Sequence, residues 1–330
     1  MNQRRTYWHL EALKRKPTDY EIATSNLLYH PERGFEVKVP AEDWYRKYQK
    51  GSPLILTKGE QFSDPRETTY TKYTAIQKDK EIYVDGLLRS MDETAYDKSL
   101  PPAWVHSLSR VLSPLRYPVH GLQMLAAYVG QMAPSGRIAV AALFQAGDEI
   151  RRVQRLAYRL RQLQETHPAF GQEGKEAWQR DPLWQPMREL IEKLLVTFDW
   201  GEAFVALNLV LKPMFDELFM VHYGELANRS GDPVLGKIFL SLNEDCRWHR
   251  DWSRALVQTA LEESAQNQEV IRGWIRKWHA QVTQAVAAFG AVFGVLENAS
   301  IRPEFSLVMN RIQSVCRDYW AAVIPLDSPG

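Results

Sequence analysis

The chain has 330 residues, of which 45% are apolar and 25% charged, and its 41 basic side chains nearly balance its 40 acidic ones. These values are typical of a globular protein and give no electrostatic reason to expect a nucleic acid or an anionic membrane as partner. No apolar run reaches the roughly 18 residues of a membrane span, and the two cysteines are too few for a disulfide framework. We therefore expect a cytoplasmic protein that binds neither nucleic acid nor membrane.

The first sixty residues differ in pattern from the rest of the chain. They carry scattered prolines and short polar stretches, and only residues 7–15 and 41–48 are predicted to form brief helices. Their many aromatic residues argue against a disordered tail. Such a segment either packs back on its own chain or covers a partner, because Trp and Tyr give large contact areas at low entropic cost. Residues 1–60 are therefore predicted to form an extended, ordered arm, with both roles open.

Helical periodicity dominates residues 61–300, which form the predicted body. A helix start is expected at the Asp64-Pro65 step, with Glu67 in its first turn. Pro213 is expected to kink or interrupt its helix. A C-terminal helix and tail are predicted for 301–330, and no strand pattern or internal repeat occurs. The fold class is all-α, an antiparallel bundle with further helices predicted over 103–112, 120–132, 137–165, 184–198, 202–222, 234–263 and 269–296.

Two incomplete metal motifs lie in the predicted helices. Di-iron carboxylate bundles use a Glu and, three residues later, a His on each of two helices, so that both side chains face the metal. In this chain the two positions hold Glu149 and Arg152 in one helix, and Cys246 and His249 in another. Arg152 cannot lose its proton to become a ligand, and it places a fixed positive charge where a metal would bind. The spacing therefore predicts a metal-bundle fold that has lost its metal.

Two interpretations of these positions remain. In the first, they form a polar core held by ion pairs such as Glu149 with Arg152, or Asp245 with His249. In the second, the chain is a self-sufficient di-iron enzyme with an atypical ligand set. That set would comprise Glu149, Glu202, Asp245 and His249.

Other candidate sites carry weaker signals. Asp216, Glu217 and His222 have offsets of five and six residues, which place the carboxylates and the imidazole on different helix faces. Nucleophile elbows, Walker loops and dinucleotide-binding glycine patterns are absent from the sequence. No catalytic residue is predicted on this chain.

A series of short motifs in fixed order resembles the β subunit, the small hydroxylase subunit, of bacterial multicomponent di-iron monooxygenases, in the toluene and xylene branch. The likeness runs from about residue 8 to residue 278. It is carried by Trp-Tyr-Arg-Lys-Tyr at 44–48, Phe-Ser-Asp-Pro at 62–65, Ser-Pro-Leu-Arg-Tyr at 113–117, His-Gly-Leu-Gln-Met at 120–124, Asp-Trp-Gly-Glu-Ala-Phe at 199–204 and His-Arg-Asp-Trp-Ser at 249–253.

This resemblance implies a ferritin-like fold, like that of the ribonucleotide reductase small subunit, without a metal site on this chain. It implies an α subunit with the di-iron centre and a γ subunit, assembled as (αβγ)2, which hydroxylates or epoxidises hydrocarbons with O2. Electrons from NADH would arrive through a reductase with FAD and a Rieske-type ferredoxin with a 2Fe-2S cluster, under control of an effector protein. The β subunit would support the α subunit and the assembly.

The resemblance also bears on the aromatic arm, because the N-terminal part of such a subunit is expected to run over its neighbours. We therefore predict that five aromatic residues lie against a partner. They are Trp8, Tyr20, Trp44, Tyr45 and Tyr48.

Overall fold

The structure, a computed structural model, describes residues 8–25, 40–294 and 304–324, and these contain helices but no strand. The all-α prediction is confirmed for this part of the chain. None of its helices is long and apolar enough to cross a membrane. The α-helices are α1 (Asp19–Thr24), α2 (Pro40–Tyr45), α3 (Tyr70–Glu93), α4 (Pro102–Met132), α5 (Gly136–Thr166), α6 (Gly174–Arg180), α7 (Gln185–Leu195), α8 (200–229), α9 (Pro233–Glu263), α10 (Gln266–Ala287), α11 (Gly290–Phe293) and α12 (Phe305–Val323).

Four long helices make the centre of the molecule as two antiparallel hairpins, α4 with α5 and α8 with α9. Helices α5 and α8 run parallel, because their contacts advance together from Gln145–Asn208 to Glu149–Lys212. Helices α5 and α9 run in opposite directions. Most buried side chains of all four helices are apolar, as expected for helices surrounded by others. Helix α3 lies outside this centre, along α5 and α9.

Helix α4 runs unbroken through the two prolines at 114 and 118. The prediction of separate helices over 103–112 and 120–132 is therefore wrong. A proline lacks the N–H that would bond to the carbonyl four residues earlier. For Pro114 that carbonyl belongs to Arg110, and it accepts a hydrogen bond from the Trp184 indole at 3.0 Å instead. A donor distant in sequence thus satisfies the group that the proline leaves free.

The carbonyl that Pro213 leaves free in α8 is satisfied in the same way. This helix comprises Trp200–Phe204, a π-helical segment Val205–Leu211, Lys212–Asp216, a second π-helical segment Glu217–His222, and Tyr223–Arg229. The Leu209 carbonyl, four residues before the proline, accepts from the Trp320 indole at 2.6 Å. Pro213 therefore does not interrupt α8, and the irregularity appears as π-helical turns instead.

The described parts of the N-terminal segment pack against the helical body. Tyr20, in the capped helix α1, is buried, and its hydroxyl oxygen accepts from the Asp64 backbone N–H at 3.0 Å. Further along, both backbone groups of Ile55 bond to the Asn267 side chain. Residues 26–39 lie outside the described residues, and the predicted division at residue 60 stays a prediction.

The helix predicted to start at Asp64 begins later, at Tyr70, with Thr69 as its N-cap. The carboxylate of Asp64 accepts the backbone N–H groups of Arg66 and Thr68, which folds residues 64–68 into a turn. Within that turn Glu67 has a φ of 48°, which is incompatible with a first helical turn. At the other end of the body, α10 ends at Ala287 rather than 296.

Candidate functional site

A buried polar cluster occupies the centre of the bundle, where α5, α8 and α9 face one another. Every member is at most 1% exposed, and most of the other buried side chains in the described residues are apolar. The structure brings together all four positions of the incomplete metal motifs and adds three further side chains. The buried polar cluster consists of Asp148, Glu149, Arg152, Lys212, Asp216, Cys246 and His249.

Four of these side chains form a closed ring of ion pairs. The Arg152 guanidinium binds Glu149 Oε2 at 2.5 Å and Asp216 Oδ1 at 2.7 Å. The Lys212 ammonium binds Glu149 Oε1 at 2.5 Å and Asp216 Oδ2 at 3.2 Å. Each anion therefore contacts both cations, and the two positive and two negative charges cancel. Such pairing is what allows ionised groups to stay buried.

The charges within the ring favour the ionised forms of Asp216 and Lys212. Burial alone would raise the pKa of Asp216, but the charges of Lys212 and Arg152 lower it to about 2. Burial would likewise lower the pKa of Lys212, and the carboxylates of Asp216 and Glu149 raise it above the usual value instead. The Cys246 thiol lies among these charges, but burial raises its pKa, so it stays protonated.

His249 pairs with Asp148, not with Asp245. Its Nε2 lies 2.9 Å from Asp148 Oδ2, whereas the Asp245 carboxylate binds Lys80 and, at 2.9 Å, Arg151. The predicted Asp245–His249 pair is therefore wrong, because Lys80 and Arg151 take up the Asp245 carboxylate. The predicted Glu149–Arg152 pair is present.

The pKa values of Asp148 and His249 are both shifted toward the neutral form of the side chain. Burial, and next the charge of Asp245, raise the pKa of Asp148 well above its usual value. Burial, followed by the charges of Lys212 and Arg152, lowers the pKa of His249 well below its usual value. When it is protonated, the Asp148 carboxyl can donate to His249 Nε2, while Oδ1 accepts from Tyr73 at 2.9 Å and from Gln77 at 2.7 Å.

The four ligands of the di-iron alternative do not converge. Glu202 accepts from the Trp278 indole at 2.8 Å and pairs with Lys277, away from the cluster. Asp245 is held by Lys80 and Arg151, as described above. Across residues 8–25, 40–294 and 304–324, no three His, Cys, Asp or Glu side chains are grouped so that they could hold a metal ion. The structure therefore does not bring this atypical ligand set together, and the di-iron alternative is not favoured.

Sequence reasoning did not assign Lys212, Asp216 and Asp148 to this site. The sequence pattern groups Asp216 with Glu217 and His222 as a weak metal-site candidate, although these two residues lie on other faces of α8. A signal was available, because Lys212 and Asp216 are a pair four residues apart inside an otherwise apolar stretch. Such a pair within a buried helix requires partners of opposite charge on a neighbouring helix.

The structure describes the side chains of four of the five predicted interface aromatics. Tyr20 is buried within this chain, and the side chain of Trp8 lies outside the described part. Tyr45 is half-buried and donates to the Gln131 carbonyl at the end of α4. Trp44 is 38% exposed. We call Trp44, Tyr48 and Phe198 the aromatic patch, since their ring centroids lie 4.7 to 5.5 Å apart.

Known proteins resemble this chain in both sequence and fold. Residues 44–264 match the family described as Methane/Phenol/Alkene Hydroxylase. The chain is 38% identical to the beta subunit of the toluene-4-monooxygenase hydroxylase component of Ectopseudomonas mendocina, over 86% of this chain and 89% of that protein. It is 24% identical to an oxygenase component of phenol 2-monooxygenase from Pseudomonas sp. strain CF600, over 94% and 92% of the two chains.

Solved structures agree with these matches. A chain of toluene 4-monooxygenase superposes with a TM-score of 0.83 at 38% identity, covering 87% of this chain and 97% of that one. A chain of phenol hydroxylase from Pseudomonas sp. OX1 superposes with a TM-score of 0.79 at 20% identity, over 92% and 93% of the chains, which supports the fold alone. The ferritin-like prediction is thereby confirmed. The chain is homologous to the beta subunit of the toluene-4-monooxygenase hydroxylase component, and it belongs to the Methane/Phenol/Alkene Hydroxylase family.

Proposed function

We propose that this chain is a structural β subunit of a hydroxylase, without a metal centre or catalytic residues of its own. The α subunit of the same assembly would carry the di-iron centre and oxidise a hydrocarbon, aromatic or alkene, with O2. A γ subunit would complete an (αβγ)2 complex in the cytoplasm. An effector protein, a Rieske-type ferredoxin with a 2Fe-2S cluster and an NADH reductase with FAD would act on it. Homology to the toluene-4-monooxygenase beta subunit supports this role.

One observation carries the proposal: the Lys212 ammonium and the Arg152 guanidinium lie between Glu149 and Asp216. A di-iron centre needs several carboxylates and two imidazoles that converge on divalent cations. Here two fixed cations already neutralise the two carboxylates, so a metal ion would meet repulsion where it should meet ligands. The ring would tie α5 to α8 as a metal ties helices in an active bundle.

The partner contact is proposed for the aromatic patch. Its three rings pack on one another at the surface, and Trp44 is fixed by a hydrogen bond from its indole N–H to the Tyr128 hydroxyl at 3.1 Å. Rigid, partly exposed aromatic side chains are typical anchors of protein interfaces. The experiment that tests the function is co-expression of this chain with the large subunit of the proposed hydroxylase, followed by co-purification.

For that experiment we expect the wild-type chain to retain the large subunit, and Trp44→Ala to weaken the association by about 10-fold to 100-fold, as for an interface hot spot. Tyr70→Ala is the control, because Tyr70 is 74% exposed on α3, outside the aromatic patch. Surface plasmon resonance on the separated components gives the affinities. Equal affinities for wild type and Trp44→Ala would refute the patch as anchor, and no association of the wild type would refute the proposed function.

The ion-pair ring predicts a large stability cost for loss of one cation. Lys212→Met leaves carboxylate charge buried without its partner, and we expect a loss of about 3–5 kcal/mol in the free energy of unfolding, measured by urea denaturation. The double variant Lys212→Met with Glu149→Gln should recover most of it, because charge balance returns.

Lys193→Met is the matched control for this cycle. Its ammonium pairs with Glu189 on the surface, where both side chains are at least half exposed. The control should change stability by no more than about 0.5 kcal/mol. A Lys212→Met chain as stable as the wild type would show that the ring does not need its charge balance.

The pKa of Asp148, which burial raises, predicts a specific pH dependence. A carboxyl whose pKa is raised on folding gives stability that is complete below its unfolded pKa of about 3.9 and is lost as the pH rises toward its folded pKa. Asp148→Asn keeps a neutral donor to His249 and does not titrate. We therefore expect the variant to gain stability over the wild type, by up to about 1.4 kcal/mol per pH unit within this window.

Urea unfolding midpoints between about pH 5 and pH 8 measure that gain. Asp251→Asn is the control, because the Asp251 side chain is 47% exposed and pairs with Arg254 at 3.5 Å on the surface. A difference between Asp148→Asn and wild type that stays constant across this range would mean that Asp148 is ionised in the folded chain.

A further inference from the structure

The two halves of α3 are held to the bundle by different forces. In the second half, Val84, Leu88 and Met91 are buried in the core. In the first half, residues 70–83, no side chain is buried. Burial of apolar surface is the main force that fixes a helix to its neighbours, and residues 70–83 contribute little of it.

Polar contacts hold the first half instead, apart from the ring of Tyr73 stacked on Phe144 at 4.5 Å. Each of these contacts reaches across to α5 or α9. They are Tyr73–Asp148 at 2.9 Å, Gln77–Asp148 at 2.7 Å, Gln77–Asp245 at 3.1 Å, Lys80–Asp245, Glu81–Arg151 at 2.5 Å and Glu81–Arg155.

Lys80 is only 12% exposed, but the Glu81 side chain is 36% exposed and so open to solvent, and it pairs with both Arg151 and Arg155. Dissolved salt screens such pairs, since the Debye length falls from roughly 10 Å at 0.1 M to about 3 Å at 1 M. The hold on residues 70–83 should therefore weaken as ionic strength rises, whereas the apolar hold on Val84, Leu88 and Met91 should not.

Gly86 lies three residues beyond the first half, between the buried side chains of Val84 and Leu88. A Cβ built on it meets no atom within 4 Å, so packing does not require a glycine here. Glycine inside a helix is destabilising because it has the most backbone freedom to lose. Gly86 therefore lowers the helical stability of α3 close to the end of residues 70–83.

Beneath residues 70–83 lie two carboxyl groups with almost no access to water. Asp148 and Asp245 are each 1% exposed, and three α3 side chains cover them: Tyr73, Gln77 and Lys80. Movement of these residues away from α5 and α9 would hydrate both carboxyl groups while the four central helices stay packed.

We propose that residues 70–83 are a charge-held lid over Asp148 and Asp245, which opens as a unit with its fixed end at Val84, while Val84, Leu88 and Met91 remain in the core. When the lid opens, water and small ions can reach the buried polar cluster while the chain stays folded. It is a property of this chain alone and does not depend on the proposed subunit role.

Hydrogen–deuterium exchange with mass spectrometry on the full-length chain tests the lid. We expect amides of residues 70–83 to exchange roughly 10-fold faster at about 1 M than at about 0.05 M NaCl, because salt screens the pairs that hold them. Peptides from α5 should show no such change. Exchange of residues 70–83 that is as slow as in α5 and independent of salt would overturn the proposal.

Two substitutions extend the test in opposite directions. Glu81→Gln removes the pairs with both arginines and should speed exchange of residues 70–83 about 10-fold. Gly86→Ala should slow it about fivefold, since alanine is the better helix former by about 1 kcal/mol and its Cβ meets open space.

Each substitution has a control of the same type. Glu189→Gln breaks a surface pair with Lys193, and Gly273→Ala places a Cβ in open space within α10. Neither control should alter exchange in residues 70–83. Gly86→Ala and Glu81→Gln chains with wild-type exchange in these residues would contradict the lid, and the salt series on the wild type remains decisive if a variant fails to fold.

Discussion

The buried ring of Glu149, Arg152, Lys212 and Asp216 is the interaction around which the rest of the bundle is arranged. An ionised side chain in an apolar core is tolerated only with a partner of opposite charge at contact distance. Two of these charges come from α5 and two from α8, so the two helices must stay parallel and in one register. A slip of one residue would leave four charges unpaired.

The neighbouring polar groups extend this constraint to α9 and α3. Asp148 lies next to Glu149 on α5 and binds His249 of α9, while Tyr73 and Gln77 of α3 bind its other oxygen. The Asp245 carboxylate of α9 pairs with Lys80 of α3 and Arg151 of α5. The positions at which a metal bundle places its ligands are thus filled with groups that satisfy one another. That arrangement explains how a ferritin-like fold can persist without requiring a metal.

Much of the fold was predictable from the sequence, because long helices such as α5 and α9 show strong apolar periodicity and clear caps. The motif pairs Glu149–Arg152 and Cys246–His249 were also visible, since their spacing of three is local. The failures were non-local. The local pattern predicts helix breaks at Pro114 and Pro213. It does not reveal that Trp184 and Trp320, distant in sequence, satisfy the carbonyl groups that these prolines leave free. Lys212 was missed because its partner Glu149 lies 63 residues away.

The most direct test of the central claim is the iron content of this chain, expressed alone and co-expressed with the large hydroxylase subunit. If Arg152 and Lys212 take the place of a metal, the chain alone should contain no stoichiometric iron, and the co-purified complex should contain iron that stays with the large subunit after separation. About two irons per chain in the protein expressed alone would contradict the claim, because the ion-pair ring and a di-iron centre cannot occupy the same place in the bundle.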